Sequence, residues 1–169
     1  MGHGEGGPTA NNCPVGNFRE ETDCRAGIGK SHLATALGYQ ASTLGFKVYY
    51  ANMAKLFSKL KMGKADGSYI REISKIERQD LLILDDFGLL PLDSQNRSAL
   101  MEIIEDRHTK ASMIITSQLP VNAWHEVIGE KTIADAILDR IVHDANRIEL
   151  IGESMRKTRV KQKEIEILN

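Results

Sequence analysis

The run Ala26-Gly27-Ile28-Gly29-Lys30-Ser31 constrains this chain more than any other stretch in it. A glycine-rich turn that enters a helix points backbone N–H groups at an anion, and the helix dipole adds to the attraction. In a phosphate-binding loop of this kind the lysine reaches the β- and γ-phosphates and the serine hydroxyl ligates Mg²⁺. Those tasks fall to Lys30 and Ser31, with Gly27, Ile28, Gly29 and His32 lining the same turn. The pattern G-x-x-x-x-G-K-[ST] sets its first glycine five residues before Gly29, where this chain has Cys24. The loop is complete at its phosphate end and altered at its entry.

A chain of 169 residues is one domain by length and can bury a three-layer α/β core. No apolar run approaches the ~20 residues that span a bilayer, and no basic-then-apolar leader is seen, so the expected location is the cytoplasm. Cys13 and Cys24 form neither C-x-x-C nor a zinc spacing. The formal net charge of −1 conceals basic clusters at Lys55, Lys59, Lys61 and Lys64, and at Arg156, Lys157, Arg159, Lys161 and Lys163. Such patches, more than the total charge, decide whether a protein meets nucleic acid.

Residues 1–25 are rich in Gly, Pro, Asn, Thr and Glu without period and read as disordered or non-native. A phosphate loop normally follows a buried strand, and Arg19-Glu20-Glu21-Thr22-Asp23 cannot line a two-sided core. From Ser31 onward the pattern is regular. Leu33, Leu37, Ala41 and Leu44 recur at helical spacing up to Gly45, and residues 46–50 read as a strand. Asn52 can cap a helix that carries Met53, Leu56, Phe57 and Leu60 on one face and Lys55 and Lys59 on the other. After the Asp66-Gly67 turn, residues 69–76 make a second short helix. The apolar runs 81–84 and 113–115 read as buried parallel strands, each followed by an amphipathic helix, and 148–151 as a last short strand. Strands alternating with helices imply a parallel sheet with ligand chemistry at its carboxyl ends.

Each polar candidate falls at such an end. Asp85, closing four apolar residues, suits a Mg²⁺ carboxylate, and Asp86 lies where a side chain can orient the attacking water. Two adjacent acids closing an apolar strand need a cation or donors to offset their burial. Ser117 and Gln118 close the next strand, where a polar group can sense the γ-phosphate, although a plain turn before Pro120 fits the same residues. Arg140 could act in trans as an arginine finger or make an ordinary ion pair from its helix, and Arg156 is open in the same way. His125-Glu126 lacks the second histidine of H-E-x-x-H, and Trp124 reads as a packing anchor.

From Gly27 to Arg156 the chain resembles IstB, the ATP-binding helper family of insertion-sequence transposition. The resemblance rests on Gly29-Lys30-Ser31-His32-Leu33-Ala34, Ala65-Asp66-Gly67-Ser68-Tyr69, residues 81–88 and Glu105-Asp106-Arg107. It extends through Ile114-Ile115-Thr116-Ser117-Gln118-Leu119-Pro120, Trp124-His125-Glu126-Val127-Ile128-Gly129, residues 134–140 and 147–156. It implies a P-loop NTPase core of the AAA+ type over residues 26–156, with a basic tail at 157–169. It also implies ATP and Mg²⁺ as cofactors, assembly as an ATP-dependent homo-oligomer on duplex DNA, and engagement of an IstA-like transposase. By position, Lys30 and Ser31 belong to Walker A, Asp85 and Asp86 to Walker B, Gln118 to sensor 1, Arg140 to box VII and Arg156 to sensor 2. Residues 53–76 correspond to an initiator-type helical insertion, whose Lys55, Lys59, Lys61 and Lys64 would face DNA phosphates.

The family's N-terminal helical region, first core strand and first Walker A glycine are not recognisable in residues 1–25, which points to a shifted reading frame or a disrupted element. A central strand contributes roughly 1.5–3 kcal/mol per large buried side chain, against a net stability of about 5–15 kcal/mol. The expectation is a destabilised core with exposed sheet edges. A DnaC-like helicase loader, and a remnant that no longer binds nucleotide, are the alternative readings.

Overall fold

A computed structural model describes residues 27–143 and 145–152. Helix α1 (Lys30–Thr43) leaves the phosphate loop and leads to strand β1 (Val48–Asn52). Two helices, α2 (Met53–Asp66) and α3 (Tyr69–Glu77), precede β2 (Leu81–Phe87). Helix α4 (Ser94–Arg107) leads to β3 (Ser112–Ser117), and α5 (Trp124–Ile128) and α6 (Lys131–Val142) follow a single 3₁₀ turn at Val121–Ala123. The strands form one parallel sheet in the order β1-β2-β3.

Side-chain alternation along the strands divides the molecule into layers. Leu81 and Ile83 of β2, Val48 of β1 and Ile114 of β3 pack with Ala34 and Ala41 of α1 on one face. Leu82, Leu84 and Phe87 pack on the other face with Leu56, Phe57 and Leu60 of α2, Ile73 and Ile76 of α3, and Leu100, Ile103 and Ile104 of α4. The three-layer α/β architecture expected from the sequence is therefore present. Asn52 caps α2 through its side-chain oxygen, which accepts from the Lys55 N–H, and Gly67 closes α2 in the left-handed conformation with φ 80°.

Two expectations are corrected. The face of α1 that meets the sheet is Ala34, Gly38 and Ala41, whereas Leu37 and Leu44 of the apolar stripe are exposed. Small residues win because the helix lies close: a Cβ at Gly38 would fall 2.7 Å from Ile83 Cδ1. Residues 148–151 are not a strand, and Ile148 and Ile151 are 68% and 81% exposed. An apolar run becomes a strand only against a neighbouring edge, and among the described residues no strand pairs with it. The outer edge of β3 is likewise free among the described residues, since β3 pairs with β2 alone. Residues 1–25, Cys24 among them, and the tail at 157–169 lie outside the described residues.

Candidate functional site

The site is assembled at the carboxyl ends of the strands, on the α1 side. Gly29 has φ 105°, a conformation glycine adopts without strain, and α1 starts at the next residue. The N–H groups of the first turn are thus left to face whatever sits before the helix. Ser31 and Thr35 lie one turn apart on α1, Thr35 Oγ1 donating to the Ser31 carbonyl at 2.7 Å.

Strand periodicity brings the acid to this helix end. Asp85 continues the Leu81–Ile83 face of β2, so its side chain emerges beside the start of α1 and is 5% exposed. Ser31 Oγ donates to Asp85 Oδ1 at 2.9 Å. Tyr50, on the Val48 face of β1, donates its hydroxyl to Oδ2 at 2.5 Å, and Thr116, on the Ile114 face of β3, donates to Oδ1. Burial pushes the Asp85 pKa up, but the hydroxyls of Thr116, Tyr50 and Ser31 outweigh it and hold the carboxyl below its ordinary value. The Tyr50 phenol is pushed up to about 12, first by burial and then by the hydrogen bond it donates to the Asp85 carboxylate.

Asp86 is aimed differently. Between Leu84 and Phe87 the ladder with β3 slips, β2 holding one residue more than its partner, and Asp86 takes φ 61°. This is a β-bulge, a device that re-aims a side chain. The Asp86 N–H donates to Thr116 Oγ1 at 3.2 Å, so Thr116 bridges both acids. The Asp86 carboxylate accepts from Asn52 Nδ2 at 2.9 Å and from Gln118 Nε2 at 3.4 Å. It also lines a 240 Å³ groove between α2 and the loop before α4, with Met53, Phe57 and Leu90 among its walls.

Of the residues expected from sequence, Ser31, Asp85, Asp86 and Gln118 are joined by hydrogen bonds directly or through Thr116, and Lys30 opens the same helix. Gly27, Ile28 and Gly29 form the turn before it, and His32 is exposed in its first turn. Arg140 is not drawn into this group by the bonds it makes. Its guanidinium bonds the Ala136 carbonyl at 2.7 Å and Glu105 of α4 at 3.3 Å. Arg156 lies outside the described residues. The four lysines are all exposed on α2. Lys59 is paired with the buried Glu72 at 2.5 Å, Lys61 lies 3.9 Å from Asp93, and Lys64 stacks over the Tyr69 ring. Trp124 is the expected packing anchor: it is buried against Phe87 with ring centroids 4.4 Å apart, and its indole N–H donates to the Leu119 carbonyl.

Sequence reasoning missed Tyr50, Asn52 as a partner of Asp86, and Thr116. Their signal is register. Asn52 pairs with Asp85 across β1 and β2, and Tyr50 and Thr116 share the α1 face with it.

The chemistry of the donors suits a hard cation, since a serine hydroxyl and a carboxylate oxygen stand side by side. No group of three or more His, Cys, Asp or Glu able to hold a metal exists among the described residues. A Mg²⁺ ion takes one or two protein oxygens and draws the rest of its shell from phosphates and water.

The family model of the IstB-like ATP binding protein matches residues 24–163. Two insertion sequence ATP-binding proteins of Sinorhizobium fredii are 53% and 47% identical over 78% and 79% of this chain. The insertion sequence IS21 ATP-binding protein of Pseudomonas aeruginosa is 35% identical over 77% of it. The chain spans about half the length of these relatives, 49–54%. Among solved structures, a DNA replication initiation factor superposes with TM-score 0.65 at 22% identity, over 83% of this chain and 42% of its own. The DnaC helicase loader superposes with TM-score 0.58 at 22% identity, over 68% of this chain and 70% of its own. At such identities the likeness is one of fold alone. By its family match and its relatives, the chain belongs to the IstB-like ATP-binding proteins.

Proposed function

We propose that this chain binds ATP with Mg²⁺ and forms the nucleotide-handling part of an ATPase that assists DNA transposition. The observation that carries the reading is the Ser31–Asp85 hydrogen bond at the end of the phosphate loop. In this reading the first N–H groups of α1 and the Lys30 ammonium hold the phosphates. Ser31 and Asp85 would hold a Mg²⁺ ion, which when bound would supply charge neutralisation for the transferred phosphoryl group. Asp86, steadied by Asn52 and Gln118, orients the attacking water. It is one methylene shorter than glutamate, so that water must sit closer to the β2 bulge. Arg140 would act on the nucleotide of a neighbouring copy only after releasing the Ala136 carbonyl and Glu105, which its guanidinium now bonds.

The names of the relatives favour transposition over helicase loading, since they are insertion sequence ATP-binding proteins. In the whole protein, an ATP-dependent homo-oligomer would assemble on duplex DNA and engage the transposase. Lys55, Lys61 and Lys64 on α2 would face phosphates, while Lys59 is held by Glu72.

Calorimetry of ATP binding with Mg²⁺ on the full chain tests the reading, beside Lys30→Ala and Asp85→Ala. Binding by the wild type and its loss in both variants is expected. No binding by the wild type, or equal binding by all three, would overturn it. For the DNA contact, removing Lys55, Lys61 or Lys64 should each lower the salt slope of duplex binding by about one. An unchanged slope would remove α2 from the interface.

A further inference from the structure

Tyr50 belongs to no motif of the phosphate loop or the acid pair, yet it makes a direct bond to the cation-binding carboxylate. Its hydroxyl takes Asp85 Oδ2, whereas Oδ1 receives both Ser31 and Thr116. The two oxygens of one carboxylate are thus distinguished by their donors. The register explains the reach: Tyr50 pairs with Ile83, two residues short of Asp85, and stands on the same face of the sheet. A carboxylate turns freely about its terminal torsion unless donors hold both sides. Thr116 is itself fixed, because it also accepts the Asp86 N–H. Ser31 is fixed by the first turn of α1. Tyr50 alone restrains Oδ2 from β1.

We propose that Tyr50 is a positioning residue for Asp85, holding Oδ2 so that Oδ1 is the oxygen presented beside Ser31 Oγ to a hydrated divalent cation. The proposal rests on the nucleotide reading above and deepens it by assigning the geometry of the cation site to a residue of β1. Without the Tyr50 hydroxyl, a buried carboxylate oxygen is left without this donor. The group then rotates or admits water, and the Ser31–Asp85 pairing that receives the cation loosens. A hydroxyl that donates to Oδ1 keeps lone pairs for a cation, so the Ser31–Asp85 bond and cation binding are compatible.

Tyr50→Phe keeps the ring and removes only the hydroxyl. ATP affinity of the full chain is measured by calorimetry in Mg²⁺ and again in EDTA, for the wild type, Y50F, Asp85→Asn and the double variant. Thermal melting verifies that each is folded. Y50F is expected to weaken binding roughly five- to tenfold in Mg²⁺ and to leave the EDTA value within about twofold. Its Mg²⁺ midpoint should move to higher concentration. In the Asp85→Asn background the Y50F effect should vanish, since residues acting through one bond are not additive.

Equal affinities for Y50F and wild type in Mg²⁺ would overturn the proposal. So would equal weakening in both media, or a Y50F effect that persists with Asp85→Asn. Nucleotide binding by the wild type that is absent, or indifferent to Mg²⁺, would overturn the nucleotide reading and this proposal with it. That failure shows in the wild type before any variant is compared.

Discussion

Asn52 and Asp86 are joined by a 2.9 Å hydrogen bond from Asn52 Nδ2, while the other end of the same amide caps α2 at the Lys55 N–H. One side chain therefore serves the start of a helix and the acid that steps out of β2. The two roles separate by substitution. Asn52→Asp keeps an oxygen for the cap but sets a second negative charge against Asp86. Asn52→Ala removes both. We expect the aspartate variant to unfold near the wild-type temperature and the alanine variant to lose about 1 kcal/mol from the lost cap. Both should hydrolyse ATP more slowly. Thermal denaturation paired with a phosphate-release assay checks this, and an aspartate variant with full activity would detach Asn52 from the chemistry.

Asp86 itself carries φ 61°, in a region where asparagine and aspartate are tolerated better than other side chains. Asp86→Asn should therefore fold as the wild type does and keep its affinity for Mg²⁺-ATP. Hydrolysis should fall about a hundredfold or more, the usual scale for removing a base that handles the nucleophile's proton. Asp86→Val, by contrast, combines a β-branched side chain with the left-handed backbone and should lose stability as well. If the asparagine variant lost binding instead of turnover, Asp86 would belong to the cation site and not to the water.

Much of the site was legible before any coordinates. The acids at 85 and 86 close an unbroken apolar run, and the lysine and serine at 30 and 31 follow a glycine turn. Patterns of that kind state which residues meet at the end of a parallel sheet. Asn52 was legible as a cap, because capping depends on local chemistry. Its second bond was not, because it depends on strand register, which no local pattern encodes. The bulge that turns Asp86 was hidden for the same reason. The face of α1 was misread because hydrophobicity marks leucines, whereas the close approach at Gly38 demands the smallest residues. The run at 148–151 has strand composition, but a strand needs a neighbour.

Arg107, buried on α4, has a task that no local sequence pattern announces. It is 1% exposed and donates to the carbonyls of Ile76, Gln79, Asp80 and Ser112, at 2.8–3.4 Å. Those carbonyls end α3, begin β2 and begin β3, so one guanidinium fork closes three chain ends. Arg107→Met fills the space but leaves several acceptors bare, at about 1–3 kcal/mol each where they stay dry. We expect a loss of at least about 3 kcal/mol, enough to unfold a marginal domain. Arg107→Lys retains the charge without the fork and should recover only part of it. Chemical denaturation of the two variants checks the order, and a methionine variant as stable as the lysine one would refute the account.

Glu72 gives a pH dependence whose sign can be worked out. It is buried on α3 between Lys59 of α2 and Lys75 of its own helix, at 2.5 and 2.9 Å. The Lys59 bond, then the Lys75 bond, hold its pKa below the ordinary carboxylate value against the opposing effect of burial. The folded protein thus keeps Glu72 ionised at a pH where the unfolded chain would protonate it. Its contribution is complete above about pH 5, past the unfolded value near 4.3, and fades as pH falls through the lowered folded value. Lys59 behaves oppositely. Its pKa is raised, chiefly by the Glu72 bond, so its share is lost only as pH climbs through that raised value. Glu72→Gln should therefore lower stability by about 1.5 kcal/mol across neutral pH, the low end for charged hydrogen bonds because both lysines stay half-exposed. Wild type and variant should converge only as pH falls through the lowered folded value of Glu72. Melting temperatures from pH 3 to 8 decide the matter: curves that stay parallel throughout would mean that the α2–α3 contact is held by its apolar residues and that the Glu72 charge adds nothing.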